Sequence, residues 1–275
     1  MSDIYQHFRQ DERPFIDQVL EWKQIVLDQY RMKLTDFLDP REQVIVKAVI
    51  GDACGLAFFG GYDRAERKRA ILYPEYMEPE QDDFELRAFD VQYAEKFVSI
   101  DHRSLLGSLM GIGLKRQKYG DLIFSEEAVQ LIISGEIADF VSTQLTKAGK
   151  APVKLEKIEL SALHIPASDV EIRDDTVSSL RLDAVCASMS RQSRQKAQAL
   201  VKNGLVKVNW KAIEDPSYQV AEGDMLSIRG FGRCSLAKVD GKTKKTNGKL
   251  HLNGKNESFF QFFSPSVPYL FYNVN

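Results

Sequence analysis

Apolar residues first recur at helical spacing in FIDQVLEWKQIVLDQY, where Ile16, Val19, Leu20, Val26, Leu27 and Tyr30 fall near one face. Glu21, Lys23 and Asp28 take the wet side, so an amphipathic helix is predicted. A second helix is predicted over DFLDPREQVIVKAVIG. There Asp39 offers an oxygen to the free amides, Pro40 suits the first helical position, and Gly51 terminates. The apolar run CGLAFFGG then predicts a strand around residues 54–61.

From Phe84 to Leu160 the pattern alternates between strand and helix periods. FELRAFDVQ predicts a strand, SLLGSLMGIGL a helix, and YGDLIFS and AVQLIIS two strands about an acidic turn. EIADFVSTQLTKAG predicts a helix with Ile137, Phe140, Val141 and Leu145 as its apolar stripe, and PVKLEKIEL a closing strand. The order β-α-β-β-α-β predicts a ferredoxin-like, RNA-recognition-like (RRM-like) sandwich. No convincing copy of the two aromatic strand motifs that stack bases in RNA-recognition domains is present. Residues 161–180 are expected to connect onward, with a short strand near Val170–Ile172.

The stretch 180–229 predicts a compact module. Leu182, Val185 and Cys186 form the inner face of a first helix. Ser193 caps a second, running from Arg194 toward Lys202, which packs through Ala197, Leu200 and Val201. Asn203-Gly204 ends it, and Val206 and Val208 alternate with an outward Lys207. Asn209 begins a turn, and Ala221–Asp224 turns the chain into MLSIR, where Met225 and Leu226 pack and Arg229 stays available. The predicted class is therefore α+β and multidomain: an N-terminal α/β domain at 1–79, a ferredoxin-like domain at 80–165, and the module at 180–250. Residues 251–275 are expected to form an atypical, disordered tail, in which Pro265 and Pro268 oppose a helix.

Charge changes the picture. The chain carries a formal net charge of -2, yet residues 181–255 hold 15 Lys/Arg against 6 Asp/Glu, or +9, and the first 180 carry -10. A locally basic module on an acidic body suits a polyanionic partner. Its candidate RNA contacts are Arg181, Arg191, Arg194, Lys196, Lys202, Lys207, Lys211 and Arg229. Arg194 and Lys196 lie in an opening helical turn, where side chains and free amides receive phosphate together. A second basic cluster, Arg64, Arg67 and Lys68 with Arg69, follows Gly60-Gly61. Those glycines serve either a phosphate approach or a tight turn.

Other chemistry is thin. Cys54, Cys186 and Cys234 are too irregularly spaced for a disulfide framework or a zinc knuckle, and the four histidines are scattered, so no metal and no cofactor are expected. Asp101-His102-Arg103 is explained by a helix cap beside a surface cation, and no catalytic residue is assigned. MSDIYQHFRQDERPF lacks the basic start and apolar core of a secretory signal, and no apolar run approaches the roughly 20 residues of a membrane span. A cytoplasmic protein without membrane contact is expected.

Arg181-Leu182-Asp183, Ser193-Arg194, Lys196-Ala197, Gly204, Val206, Val208-Asn209 and Gly223-Asp224 together closely resemble the RNA-binding domain of small ribosomal subunit protein four, the S4-like or αL fold. The resemblance implies RNA contact by Arg181, Arg194, Lys196, Lys202 and Lys207, with Asp183 orienting a basic neighbour or fixing a helix end. FLDPREQ at 37–43, FGGYDRAERKRAILYPEY at 59–76 and IDHRSLLGSLMGIGLKRQKYGDLI at 100–123 are similar to the YlmH family of bacterial RNA-binding proteins. That resemblance implies structured ribosomal RNA of the large subunit near transfer RNA as partner, and a role in translation or ribosome quality control. It also invites a cell-division-linked adaptor as an alternative. The competing class is an RNA-modifying enzyme, since pseudouridine synthases carry a catalytic aspartate in a similar Arg-Leu-Asp setting. Here those three residues run directly into the binding module's own features.

Overall fold

A computed structural model describes residues 4–166, 170–240 and 248–255. The chain divides into two compact units, Met1–Pro166 and Ala167–Asn275.

The first unit opens with α1 (Arg13–Gln29), β1 (Lys33–Leu34), α2 (Pro40–Ile50), β2 (Gly55–Phe59) and β3 (Arg69–Tyr73). Asp39 caps α2 as expected: its carboxylate accepts from Glu42 N at 2.9 Å, and Glu42 accepts in return from Asp39 N at 2.7 Å. On α1 only part of the predicted stripe is covered. Ile16, Val19 and Val26 are buried, whereas Leu27 and Tyr30 are 41% and 67% exposed. The reason is that α1 is an outer layer that ends there, Tyr30 holding a left-handed φ of 52°.

The middle elements are β4 (Leu86–Gln92), α3 (His102–Gly111), β5 (Tyr119–Phe124), β6 (Val129–Ser134), α4 (Ala138–Gln144), β7 (Lys147–Ala148), β8 (Ala151–Pro152) and β9 (Lys154–Ile158). The helix predicted across residues 136–149 stops at Gln144, because Leu145 turns into the core and β7 and β8 form a hairpin. Gly149 occupies its left-handed turn position, at φ 62°. Phe140, assigned to the buried stripe, lies 48% exposed, while Val141 and Leu145 carry the packing. Asp101 caps α3 by accepting from Ser104 N at 2.7 Å, so the Asp-His-Arg triplet is a helix start.

These elements stack as four layers. The β1-β3-β2 sheet packs Ala70 and Leu72 against Val19, Ile45 and Val49 of α1 and α2. Ile71 lies between them in sequence and therefore faces the other way, as strand alternation requires. With Phe37 it meets Leu86, Ile123 and Ile132 of the second sheet, of order β5-β6-β4-β9. The far face of that sheet buries Phe89, Leu131 and Ile133 against Leu105 and Leu109 of α3 and Val141 of α4. The segments on either side of residue 79 thus share a core. Each fully buried aliphatic side chain in it contributes about 2 kcal/mol of transfer free energy.

The second unit comprises β10 (Val170–Val177), α5 (Leu182–Ser190), α6 (Arg194–Lys202), β11 (Val206–Val208), β12 (Lys211–Ala212), β13 (Met225–Ile228), β14 (Gly232–Asp240) and β15 (Gly248–Lys255). Its antiparallel sheet has the order β10-β15-β14-β13-β11-β12. The short strand expected near Val170–Ile172 is present and longer, eight residues paired with β15. Residues 251–255, expected within the tail, belong to β15, and its pairing with β10 and β14 holds them in the sheet. The remainder of the expected tail, 256–275, lies outside the described residues.

Val206, Val208, Leu226, Ile228, Cys234 and Leu236 of this sheet pack on Leu182, Val185, Cys186 and Met189 of α5 and Ala197 and Val201 of α6. Leu226 and Ile228 carry the packing of β13, with Met225 only partly covered. Asn209 and Trp210, at φ 48° and 65°, make the two-residue turn from β11 to β12. Asn209 fixes it by donating to Asp224 at 2.7 Å and accepting from Met225 N at 2.9 Å.

Candidate nucleic-acid interface

The start of α5 and the start of α6 are brought together around one carboxylate. Asp183 is 0% exposed and takes four donated hydrogen bonds. Arg181 donates through Nε and Nη2, both at 3.2 Å; Arg194 donates through Nη2 at 3.0 Å; Gln198 donates through Nε2 at 2.8 Å. Burial by itself would raise the Asp183 carboxyl, but the bonds from Arg181, Arg194 and Gln198 hold it well below the usual carboxylate range. The same bonding raises Arg181. The side chains of Arg181 and Arg194 remain 36% and 47% exposed, so both guanidinium groups reach solvent from a fixed base.

Such a pair is suited to phosphate. A guanidinium carries five N–H donors in a rigid plane, and the carboxylate occupies only the inward ones. Ser193 caps α6 by accepting from Lys196 N at 3.3 Å, and Lys196 Nζ donates to Gln192 at 3.3 Å. Lys196 and Lys202 are exposed on α6, and Arg191 is exposed where α5 ends, at φ 50°. The anchoring also settles Asp183 chemically: a buried carboxylate with its oxygens committed to Arg181, Arg194 and Gln198 cannot reach a substrate as a nucleophile. Gln198 lies outside the set drawn from the sequence, although its position four residues after Arg194 places it on the same helix face.

The other expected contacts do not join this constellation. Lys207 is exposed on β11 between buried Val206 and Val208, and so projects from the sheet face opposite the helices. Lys211 is half-buried on the β12 edge, and Arg229 is exposed just after β13.

The cluster near Gly60 divides as well. Arg64 is at the surface, and Lys68 is half-buried, its Nζ donating to Asp63 O at 3.3 Å. Arg67 corrects the expectation of a surface cation: it is 8% exposed and donates through Nη2 to Phe37 O at 2.9 Å. Its neighbour Arg69, 3% exposed, donates to Thr35 O at 2.7 Å and Phe84 O at 3.0 Å. Both lie where the two sheets of the first unit meet, and their guanidinium groups satisfy loop carbonyls there. Arg116 stacks 4.5 Å over Tyr119, and burial, then the nearby Arg67 charge, lowers it to about 10.

The glycine pair makes a close turn. A methyl group on Gly60 would lie 2.4 Å from Arg67 O and 2.5 Å from Ala65 Cβ. Gly60→Ala is therefore expected to destabilise the chain by about 2 kcal/mol without changing RNA affinity at a temperature where it stays folded. Thermal melts paired with a binding isotherm check this, and an RNA-binding defect in a folded Gly60→Ala protein contradicts it.

Among the described residues, no helix is long and apolar enough to cross a membrane, and no group of three or more His, Cys, Asp or Glu side chains is placed to hold a metal.

Two helices joined through a buried aspartate and laid on an antiparallel sheet define an S4-type RNA-binding module, and the S4 domain family matches residues 180–226. Two further family models, "YlmH, N-terminal" and "Putative RNA-binding domain in YlmH", match residues 11–77 and 79–162. Ribosome-associated protein quality control protein P2 of Bacillus subtilis (strain 168) is 80% identical over 251 residues, 91% of this chain and 98% of that protein. Small ribosomal subunit protein uS4 of Desulfotalea psychrophila is 39% identical over 61 residues, 22% of this chain and 29% of the relative. A solved structure titled cell division protein ylmH from Streptococcus pneumoniae matches at 32% identity with a TM-score of 0.52, covering 59% of this chain and 99% of that one. The chain belongs to the YlmH family of RNA-binding proteins.

Proposed function

We propose that this protein captures the backbone of structured ribosomal RNA on the large subunit, near transfer RNA, and acts in ribosome-associated quality control. The observation that carries the reading is the Arg181–Asp183–Arg194 constellation, which presents two oriented guanidinium groups beside the exposed amide end and lysines of α6. The 80%-identical relative is named for ribosome-associated quality control, which supports the cellular setting. Recognition is electrostatic and by shape: phosphates are held by Arg181, Arg194, Lys196, Lys202 and Arg191, without reading of base edges. The reading places the protein in the cytoplasm, where the buried thiols of Cys54, Cys186 and Cys234 stay reduced.

The middle segment supports a ferredoxin-like description through its strand order, β5-β6-β4-β9, with α3 and α4 on one face. The opposite face is the one that RNA-recognition domains leave open for stacking bases. Here it is covered by Phe37, Ile71 and Leu160. Base stacking on this sheet is therefore not part of the proposed mechanism, and the first unit contributes through surface cations such as Arg64.

Crosslinking of the full chain to purified ribosomal subunits tests the proposal. Focused crosslinks to large-subunit RNA, lost in an Arg194→Ala, Lys196→Ala variant, are expected. Crosslinks absent from ribosomes but present on free cellular RNA would overturn the ribosomal assignment.

A further inference from the structure

The helix-covered face of the β5-β6-β4-β9 sheet is open beside α4. There Arg87 and Phe89 of β4 and Leu155 and Lys157 of β9 face Asp139 and Ser142 of α4 across a cleft of about 420 Å³. Backbone register explains its make-up. Phe89 lies opposite Lys157, and Arg87 and Leu155 lie two residues along their own strands, so all four project to one side. Phe89 and Leu155 are buried and form the floor, whereas Arg87 and Lys157 are exposed at the rim. Arg87 and Lys157 are diagonal neighbours, roughly 7 to 8 Å apart at the backbone, so their long side chains can meet on one phosphate. Asp139 and Ser142, three residues apart on α4, are exposed on the facing wall.

The fold leaves these charges available. Arg87 Nη1 donates to Leu86 O at 2.7 Å, a neutral acceptor that uses one of its five N–H groups. Ser142 donates to the main-chain oxygen of Asp139 at 2.9 Å and not to its carboxylate. Among the described residues no ion pair joins Asp139 to Arg87 or Lys157, although all three line the same space. Charges on an edge strand discourage strand pairing between molecules, which accounts for Lys157 alone. Arg87 is on the interior strand β4, and Asp139 is on a helix.

A carboxylate beside two cations is informative about the ligand. A phosphate by itself would be held better without Asp139, whose charge repels it. An ionised carboxylate accepts hydrogen bonds and donates none, so its partner on the ligand is a donor. Along an RNA backbone that donor is the ribose 2′-hydroxyl, the group by which RNA is told from DNA. We propose that the cleft is a ribose-phosphate site, in which Arg87 and Lys157 hold a phosphate and Asp139 accepts from the adjoining 2′-hydroxyl. The inference rests on the RNA-binding reading above and gives the first unit a part in it, selectivity for the RNA sugar.

The test measures, by anisotropy, binding of the full chain to one RNA hairpin and to its 2′-fluoro counterpart, which keeps the A-form sugar pucker but lacks the hydroxyl proton. Wild type should bind the hydroxyl form about tenfold tighter. Asp139→Ala should bind the two forms alike, and Arg87→Ala, Lys157→Ala should weaken binding of both. Thermal melts check that the variants are folded, and the wild-type comparison stands without them. Wild type binding both forms equally, Asp139→Ala keeping the preference, or the double variant binding like wild type overturns the ribose-phosphate site and leaves RNA binding intact. Wild type failing to bind either hairpin overturns the underlying reading and this one with it.

Discussion

Asp183→Asn should weaken RNA binding, by about tenfold, even though it removes a negative charge from a surface that attracts a polyanion. A simple charge count predicts the reverse. The difference arises because Asp183 is buried beneath Arg181 and Arg194 and fixes both guanidinium groups through charge-assisted bonds. An asparagine amide cannot accept on both sides, so the arginines lose their common anchor. The same change should cost about 2 kcal/mol of folding stability, below the loss for a fully buried pair because the arginines are partly in solvent. The pH dependence has a definite sign. A carboxyl lowered in the folded state contributes stability that is complete above its unfolded value of 3.8 and is lost as pH falls toward the folded value. Wild type should therefore lose stability on acidification below about pH 4, and the Asn variant should lose less over that window. Isotherms and melts on folded Asp183→Asn protein decide the matter, and tighter RNA binding would refute the anchoring role.

The second large effect belongs to Arg194→Ala, Lys196→Ala. Lys196 is exposed in the first turn of α6, but Arg194 also donates to the buried Asp183, so the double change should cost about 1 kcal/mol of stability and binding is read on folded protein. Their loss should cost about 2 kcal/mol of RNA affinity, roughly thirtyfold. Two fewer phosphate contacts should also flatten the salt dependence, lowering the slope of log affinity against log salt by about 1.4. Loss of affinity with an unchanged slope would show that the two residues act through the fold and not through phosphate.

How far the sequence was legible varies with the physics of each part. Local chemistry declared itself: Asp39, Asp101 and Ser193 cap helices because capping needs only a short polar side chain and the next few amides. The alternation of Val206, Lys207 and Val208 correctly placed the lysine outward. What one-dimensional patterns lack is the partner across the fold. Arg67 and Arg69 read as surface cations, yet the loop carbonyls that hold them come from residues 35–37 and 84. Leu27 and Phe140 fit helical stripes, but helices that form outer layers bury only a narrow strip. The basic module was visible as charge, whereas the gathering of Arg181, Arg194 and Gln198 around one buried carboxylate depends on how α5 and α6 pack.

The most direct test of electrostatic capture is the affinity of the intact chain for a ribosomal RNA fragment measured across salt concentration. With roughly five phosphate contacts, affinity should fall about a hundredfold between roughly 50 and 200 mM salt, along a straight line in log–log coordinates. An affinity nearly independent of salt over that range would contradict it.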